Sequence, residues 1–174
     1  MPFSDAEGKE WSKERVLALA PFRLWDVGPG AGTYSTLLRP YLPFTWFYAV
    51  EIWEPYIEAY DLDAKYHQVF VSDVMDFSFD PVGSRDLVIL GDVVEHLTEN
   101  DARELIAYLK ERFSNILVSL PIVHSPQGTV FGNPYEAHLH QWSFKDMLEL
   151  MDHCEALEGS TLGVFWWRKE DGDE

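Results

Sequence analysis

Three glycines at alternate positions follow an apolar segment in LWDVGPGAGTYS, residues 24–35. Each glycine costs roughly 0.5–1 kcal/mol relative to alanine in a regular element. The bare backbone of Gly28, Gly30 and Gly32 therefore serves either a tight turn with positive φ or a ligand that touches the main chain. The spacing is G-x-G-x-G, and Thr33 stands where the dinucleotide fingerprint G-x-G-x-x-G places its last glycine.

Acidic residues recur at the ends of the predicted strands. Glu51 could accept hydrogen bonds from both hydroxyls of a ribose, and Asp73, with Asp76 as a neighbouring alternative, could accept one from an adenine amine. Asp92 would lie near a ligand ammonium, although it could instead cap the following helix. Because ligands of open α/β sheets bind at the carboxyl ends of strands, these acids predict a ligand with ribose, adenine and positive charge.

A second group of residues has the chemistry of a metal site. Asp92, Glu95 and His96 are spaced i, i+3 and i+4, so one helical turn would present them on one face. With His138 or His140 they could hold a divalent ion through oxygen and nitrogen ligands. In the alternative interpretation, Glu95 and His96 form hydrogen bonds with a neighbouring loop. We adopt this alternative and predict no metal ligand.

Three histidines are candidate catalytic residues. His138 and His140 alternate, so in an extended segment both would face the same way. Because the histidine pKa suits proton transfer near neutral pH, one of them, or His96, could act as general base for a hydroxyl or carboxyl substrate. The competing interpretation is that one of them packs against Trp142 and bonds to loop carbonyls.

The elements that must position these residues alternate between strand-like apolar runs and segments of helical period. This order predicts a parallel sheet covered by helices. The predicted strands are 22–28, 45–52, 67–72, 86–91, 115–120, 155–160 and 163–167. The predicted helices are 10–20, 34–41, a short one from Pro55, 99–113, and one that Ser143 caps. The connection 77–84 is too short for a full helix.

Aromatic residues divide into two predicted groups. The residues of the strands are expected in the core, namely Trp46, Phe47, Trp166 and Trp167. Those of the loops and helix starts are candidates for pocket walls, namely Tyr34, Phe131, Tyr135 and Trp142.

Composition limits the possible partners. The 174 residues suit one domain with a real core. The net charge of −17 disfavours long nucleic acids and anionic membranes, since the 13 Lys and Arg residues are scattered. No apolar run is long enough to span a bilayer. The single Cys154 excludes an internal disulfide, and the start shows no secretion signal, so we expect a cytoplasmic protein with a small-molecule substrate.

Four runs resemble a known family. DVGPGAG, AVEIWEP, VSDVMDF and DLVILGDVVEHL occur in this order and resemble successive motifs of class I S-adenosylmethionine-dependent methyltransferases. The D/E-x-x-E-H run and HLHQWSF (138–144) are similar to the ubiquinone-biosynthesis O-methyltransferase group. The resemblance covers roughly residues 22–155. It implies a single compact α/β domain over 1–174 with a seven-stranded, mostly parallel, Rossmann-like sandwich, an N-terminal helical segment at 1–21 and a substrate-side loop at 122–142.

The resemblance also implies a cofactor site for S-adenosylmethionine. The glycines would approach its methionine moiety, Glu51 its ribose, Asp73 and the Val74 amide its adenine, and Asp92 its amino end. The full set of predicted cofactor-binding residues is Asp26, Gly28, Gly30, Gly32, Glu51, Ile52, Asp73, Val74 and Asp92.

The implied function is methyl transfer to a small molecule, at oxygen. Two alternatives stay open. Glu51 and the glycines would also suit a nicotinamide-dependent oxidoreductase, although Thr33 replaces the third glycine and no Tyr-x-x-x-Lys pair lies near strand five. The chain could also be a non-catalytic subunit that binds S-adenosylmethionine and docks a partner.

Overall fold

The computed structural model describes residues 6–79 and 83–169. The strands in these ranges are β1 (Arg23–Val27), β2 (Trp46–Glu51), β3 (Gln68–Val71), β4 (Leu87–Gly91), β5 (Asn115–Pro121), β6 (Glu155–Glu158) and β7 (Leu162–Arg168). The α-helices there are α1 (Lys9–Leu19), α2 (Thr33–Leu38), α3 (Pro55–Ala59), α4 (Leu62–Lys65), α5 (Glu99–Arg112) and α6 (Phe144–Met151).

Within the described ranges, seven strands form one sheet in the order β3-β2-β1-β4-β5-β7-β6. Strands β1 to β5 pair in parallel, whereas β7 runs antiparallel to both β5 and β6. The prediction of a seven-stranded, mostly parallel sheet is confirmed. Because β1 lies between β2 and β4, the strand order reverses there, and its carboxyl end is where a ligand is expected to bind.

The sheet is buried on both faces, which explains the apolar run of β4. Val88 and Leu90 pack into the hydrophobic cluster that contains the buried face of α5 and Met147 of α6. The alternate residues Leu87 and Ile89 pack into the opposite cluster, with residues of α1 and α2. Buried parallel strands are apolar on both sides for this reason.

The two helices after β4 begin at side-chain caps. The Thr98 hydroxyl accepts a hydrogen bond from the Asp101 amide at the start of α5. Ser143 and Asp146 form a reciprocal capping box at the start of α6, which confirms the predicted cap. No helix within the described ranges combines the length and apolar character needed to cross a membrane.

Two features of the fold differ from, or extend, the predictions. The prediction that Trp46 belongs to the core is wrong, because Trp46 begins β2 at the rim of the sheet and its side chain is 49% exposed. It packs against the ring of His67, with centroids 4.8 Å apart. Between β3 and β4 no helix occurs in the described residues; residues 80–82 lie outside them.

Candidate active site

A cavity of about 300 Å³ lies at the carboxyl ends of β1, β2, β3 and β4. Most of the predicted cofactor-binding residues line it, so the geometry brings together the residues that the sequence placed at successive strand ends. Those lining the cavity are Asp26, Gly28, Gly30, Glu51, Ile52, Asp73, Val74 and Asp92. Their roles stay predictions at this point.

The glycine turn follows β1 with positive φ angles. Gly28 has φ +59° and Gly30 has φ +50°, a region that glycine occupies without steric cost. A Cβ added to Gly28 would lie 2.8 Å from Val93 Cγ2. This pair therefore forms a tight turn and also lines the cavity; the explanation by a ligand that touches the main chain stays a prediction.

Gly32 occupies a different place. It has φ +74° and precedes the first residue of α2, and it is not part of the cavity lining. An added Cβ would lie 2.8 Å from Cδ of Lys65. The structure therefore gives Gly32 a role in the turn rather than a surface that faces the cavity.

Asp26 is buried beneath the turn. Its exposed fraction is 2%, and its Oδ2 accepts a hydrogen bond of 2.5 Å from the Tyr66 hydroxyl. Burial raises the pKa of Asp26 to about 7, against the opposing effects of that hydrogen bond and of the Lys9 charge.

Glu51 ends β2 with its carboxylate at the cavity wall. Its exposed fraction is 3%, and Oε1 accepts a hydrogen bond of 2.8 Å from the Trp53 amide. Burial raises the pKa of Glu51 to about 7, although hydrogen bonds from the Trp53 and Gly30 amides lower it. The carboxylate is thus held in place by the backbone that surrounds it.

Asp73 lies just past β3. Its Oδ1 accepts a hydrogen bond of 2.9 Å from the Met75 amide, which fixes the turn that carries Val74. Asp76, the neighbouring alternative, does not line the cavity.

Asp92 follows β4 in a left-handed conformation with φ +58°. Its amide donates a hydrogen bond of 2.7 Å to the Ser119 carbonyl. The N-cap position of the 3₁₀ turn Val94–His96 is held by Val93, which has no hydrogen-bonding side chain. The alternative in which Asp92 caps the following helix stays a prediction. Non-glycine residues with positive φ are often found at functional sites.

Six carboxylates line the cavity, and no Lys or Arg of the described residues does. This distribution creates a negative field that favours a cationic ligand and disfavours a pyrophosphate. The six acids are Asp26, Glu51, Asp73, Asp92, Asp101 and Glu136.

The loop 122–142 supplies one wall of the cavity, through Asn133, Tyr135, Glu136 and Leu139. Glu136 Oε1 accepts a hydrogen bond of 2.9 Å from the hydroxyl of Tyr56 in α3, so the loop is tied to the far side of the site. Sequence reasoning missed this pair because the loop has no period from which a register could be derived. An acid two residues before HLH (138–140) was the available signal.

Two of the four aromatic residues predicted to form pocket walls line the cavity, and two do not. Tyr34 and Tyr135 line the cavity, as predicted. Trp142 does not, because it is fully buried in the core, and Phe131 does not, because its side chain is 75% exposed.

Of the three candidate catalytic histidines, His96 lines the cavity, whereas His138 and His140 do not. The rings of His96 and His138 meet with centroids 5.0 Å apart. The His140 ring packs instead against that of Trp142, with centroids 4.6 Å apart. This agrees with the competing interpretation, in which one of the histidines packs against Trp142. Burial lowers the pKa of both His96 and His138.

Glu95 is 3% exposed, and neither of its carboxylate oxygens has a hydrogen-bond partner among the described residues. Burial, followed by the nearby charge of Asp92, raises the pKa of Glu95 well above its usual range. Glu95 forms hydrogen bonds with the loop, as the alternative interpretation expects, through its backbone carbonyl and not through its side chain. That carbonyl accepts from the amides of Leu139 and His140, at 2.8 and 3.2 Å. The expectation holds for His96, whose Nδ1 donates to the Ala137 carbonyl.

Comparison with known proteins adds a family match. Residues 25–111, half of the chain, match the family described as "Methyltransferase domain". This segment contains the glycine turn and the strand ends from β1 to β4. No curated protein sequence is detectably similar to the chain.

Solved structures share the fold at low identity. An O-methyltransferase family protein from Burkholderia thailandensis is 13% identical with a TM-score of 0.63, over 95% of this chain and 58% of that one. The N-terminal domain of EvdMO1 with SAH bound is 16% identical with a TM-score of 0.69, over 95% and 82%. The N-methyltransferase NodS from Bradyrhizobium japonicum, in complex with S-adenosyl-L-homocysteine, is 12% identical with a TM-score of 0.63, over 96% and 90%. The chain thus spans little more than half of the first of these proteins.

Proposed function

Because this chain belongs to the methyltransferase-domain family, we propose that it transfers the methyl group of S-adenosylmethionine to a small-molecule acceptor, at oxygen. The observation that carries the proposal is the cavity lined by six carboxylates and, among the described residues, by no Lys or Arg. S-adenosylmethionine carries a sulfonium and an ammonium, so it suits such a lining. A nicotinamide dinucleotide carries a pyrophosphate, which the same lining would repel.

The proposed cofactor contacts follow the strand ends. Glu51 would accept hydrogen bonds from the ribose hydroxyls, because its buried carboxylate is already fixed by the Trp53 amide. Asp73 and the Val74 amide would bind adenine, and Asp92 the ammonium.

The remaining contacts belong to the turn beside β1. Gly28 and Gly30 would let the methionine moiety approach the main chain, and Ile52 would pack against the adenosine. Asp26 would act from beneath the turn through its charge. We keep Gly32 in the proposal only as a residue that shapes the turn.

When bound, the cofactor supplies an electrophilic methyl group on a sulfonium centre. The protein contributes positioning, which can lower a barrier by about 7–11 kcal/mol in favourable cases. An acceptor hydroxyl must lose its proton as the oxygen is methylated, and we propose that Nε2 of His96 receives it. His138 would position His96 through their ring contact, whereas His140, packed on Trp142, is left out.

The acceptor side is proposed to be the loop 122–142, because four of its residues line the cavity. We propose further that the chain acts as one domain, with an N-terminal helical segment, and that it is related to the ubiquinone-biosynthesis O-methyltransferase group. The support for this last point is the run from Asp92 to His96, which places its histidine in the cavity lining.

The experiment is a transfer assay with S-adenosylmethionine labelled in the methyl group. Separate panels of phenols, catechols, carboxylic acids and amines are supplied, and labelled product is identified by mass spectrometry. We expect label on an oxygen acceptor, with formation of the demethylated cofactor. His96→Ala should lower the rate about 10²–10⁴-fold, whereas His124→Ala, an exposed histidine of the same loop, should not.

Two results would overturn parts of the proposal. Label found only on amines would contradict oxygen as the acceptor atom. Tight cofactor binding with no transfer to any panel, together with a co-purifying protein, would favour the non-catalytic subunit.

A further inference from the structure

A buried carboxylate and two imidazoles meet where the cavity borders the loop 122–142. Glu95, His96 and His138 each offer one ligand atom, and these three atoms all lie within 4.8 Å of one another. The proposed function gives Glu95 no role. The cluster therefore needs an explanation of its own.

The carboxylate of Glu95 is the first indication of a missing partner. It is 97% buried, and neither oxygen has a hydrogen-bond partner among the described residues. Buried polar groups are almost always paired, because removing a charge from water is costly. A bound cation would supply the partner that the protein does not.

The two imidazoles are oriented as metal ligands usually are. Nδ1 of His96 lies 3.1 Å from the Ala137 carbonyl, and Nδ1 of His138 contacts the Ser125 carbonyl. Because a carbonyl can only accept, each Nδ1 carries the proton and each Nε2 of the neutral ring carries a lone pair. Histidines that bind metals typically donate their other ring N–H to a carbonyl or carboxylate in this way.

We propose that Glu95, His96 and His138 form a binding site for one divalent transition-metal ion of the zinc type. Two nitrogen donors and one carboxylate suit Zn²⁺ or Co²⁺, whereas Mg²⁺ prefers oxygen ligands and waters. Ligands that share one zinc at ~2.0–2.1 Å lie at most ~4.2 Å apart. The three ligand atoms can therefore bind one ion if their side chains move about an ångström closer together.

Three protein ligands leave a coordination position open, as in catalytic zinc sites. Because His96 belongs to both the cluster and the cavity lining, a molecule in the cavity can reach the ion. An acceptor hydroxyl bound there would ionise more readily and release its proton to solvent. This consequence rests on the proposed function; in metal-loaded protein the ion, and not Nε2 of His96, would activate the acceptor.

The test measures metal binding without the cofactor, so its failure is separate from that of the proposed function. Protein stripped with a chelator is titrated with Co²⁺, and its visible d–d absorption is followed; Zn²⁺ is then added as a competitor. We expect one Co²⁺ per chain, displaced by Zn²⁺ and not by an excess of Mg²⁺. Glu95→Gln and His138→Ala should each weaken binding by more than about 100-fold, because even supporting residues cost 10–100-fold.

His124→Ala is the matched control, since it removes an exposed histidine of the same loop outside the cluster. It should bind Co²⁺ as the wild type does. Glu95→Gln keeps the shape of the buried side chain, and a thermal melt of each metal-free variant verifies its fold. No saturable Co²⁺ binding by the wild type would overturn the proposal, and so would equal binding by both folded cluster variants.

Discussion

Glu51 and Asp26 are carboxylates whose properties depend on the fold around them. Both are nearly inaccessible to solvent, and burial raises the pKa of each to about 7. Each therefore changes its charge within the range of pH in which the protein can be handled. This makes the candidate site accessible to titration experiments.

We expect the affinity for S-adenosylmethionine to depend on the ionisation of Glu51. A cationic ligand with ribose hydroxyls favours the carboxylate, whereas the ligand-free group has a pKa of about 7. Below that pH, binding must release a proton, so the affinity should fall as the pH is lowered from about 8 to about 6. Calorimetry in buffers of different ionisation enthalpy measures the released proton directly.

Glu51→Gln should flatten this dependence and weaken binding at about pH 8 by ~10–100-fold, the range for hydrogen bonds to a charged group. The exposed Glu58→Gln is the control and should behave as the wild type. A Glu51→Gln variant with full affinity would remove the ribose role from this residue.

Asp26 should make the protein less stable as the pH rises. Its folded pKa of about 7 lies above the ordinary aspartate pKa of 3.8, so between these pH values the folded state holds a proton that the unfolded state releases. The stabilisation is complete below about pH 4 and is lost as the pH rises through about 7. The effect is at most ~1.4 kcal/mol per pH unit.

Asp26→Asn removes this titration and keeps an acceptor for the Tyr66 hydroxyl. Urea unfolding at several pH values should show the free energy of unfolding of the wild type, relative to this variant, falling from about pH 4 to about pH 7. Asp76→Asn, at an exposed position, should show no such trend. A difference that does not change with pH would mean that Asp26 is charged throughout.

At the scale of elements, the site depends on one turn after β1. Gly28 has φ +59°, and an added Cβ would lie 2.8 Å from Val93 Cγ2. Gly28→Ala should therefore lower the free energy of unfolding by about 1–3 kcal/mol and weaken cofactor binding.

Gly128→Ala is the matched control for that substitution. An added Cβ there has no neighbour within 4 Å, so its effect should stay within ~0.5 kcal/mol. Chemical denaturation and a binding titration measure both variants. Equal effects of the two substitutions would show that the turn after β1 tolerates a side chain.

The elements themselves were largely predictable from the sequence. The apolar sequence of β4 predicts a buried parallel strand, because both faces of that strand are covered. Ser143 predicts the start of α6, because its side chain caps that helix. Trp46 was misplaced because an aromatic residue at the first position of a strand can lie at the rim as well as in the core.

The parts of the site built by irregular chain were not predictable. The contact between Tyr56 and Glu136 joins α3 to the loop 122–142, and no period in the loop fixes which residue faces inward. The same uncertainty affected the histidines, because in irregular backbone His138 and His140 acquire different neighbours.

At the scale of the whole molecule, several acids meet where the strand order reverses. The chain carries a net charge of −17, and six of its acids surround one cavity. A ligand with adenosine and positive charge therefore meets a favourable field, whereas adenosine nucleotides that carry phosphates meet an unfavourable one. The preference between these two ligand classes is a property of the cavity as a unit.

The selectivity of the cavity is tested most directly by a calorimetric titration of the protein with S-adenosylmethionine and, separately, with NADH. We expect one S-adenosylmethionine per chain and no binding of NADH. Gly30→Asp, which puts a side chain into the lining of the cavity, should abolish the signal. Binding of NADH, or no heat with S-adenosylmethionine at high micromolar concentration, would show that the cavity is not selective for a cationic adenosyl ligand.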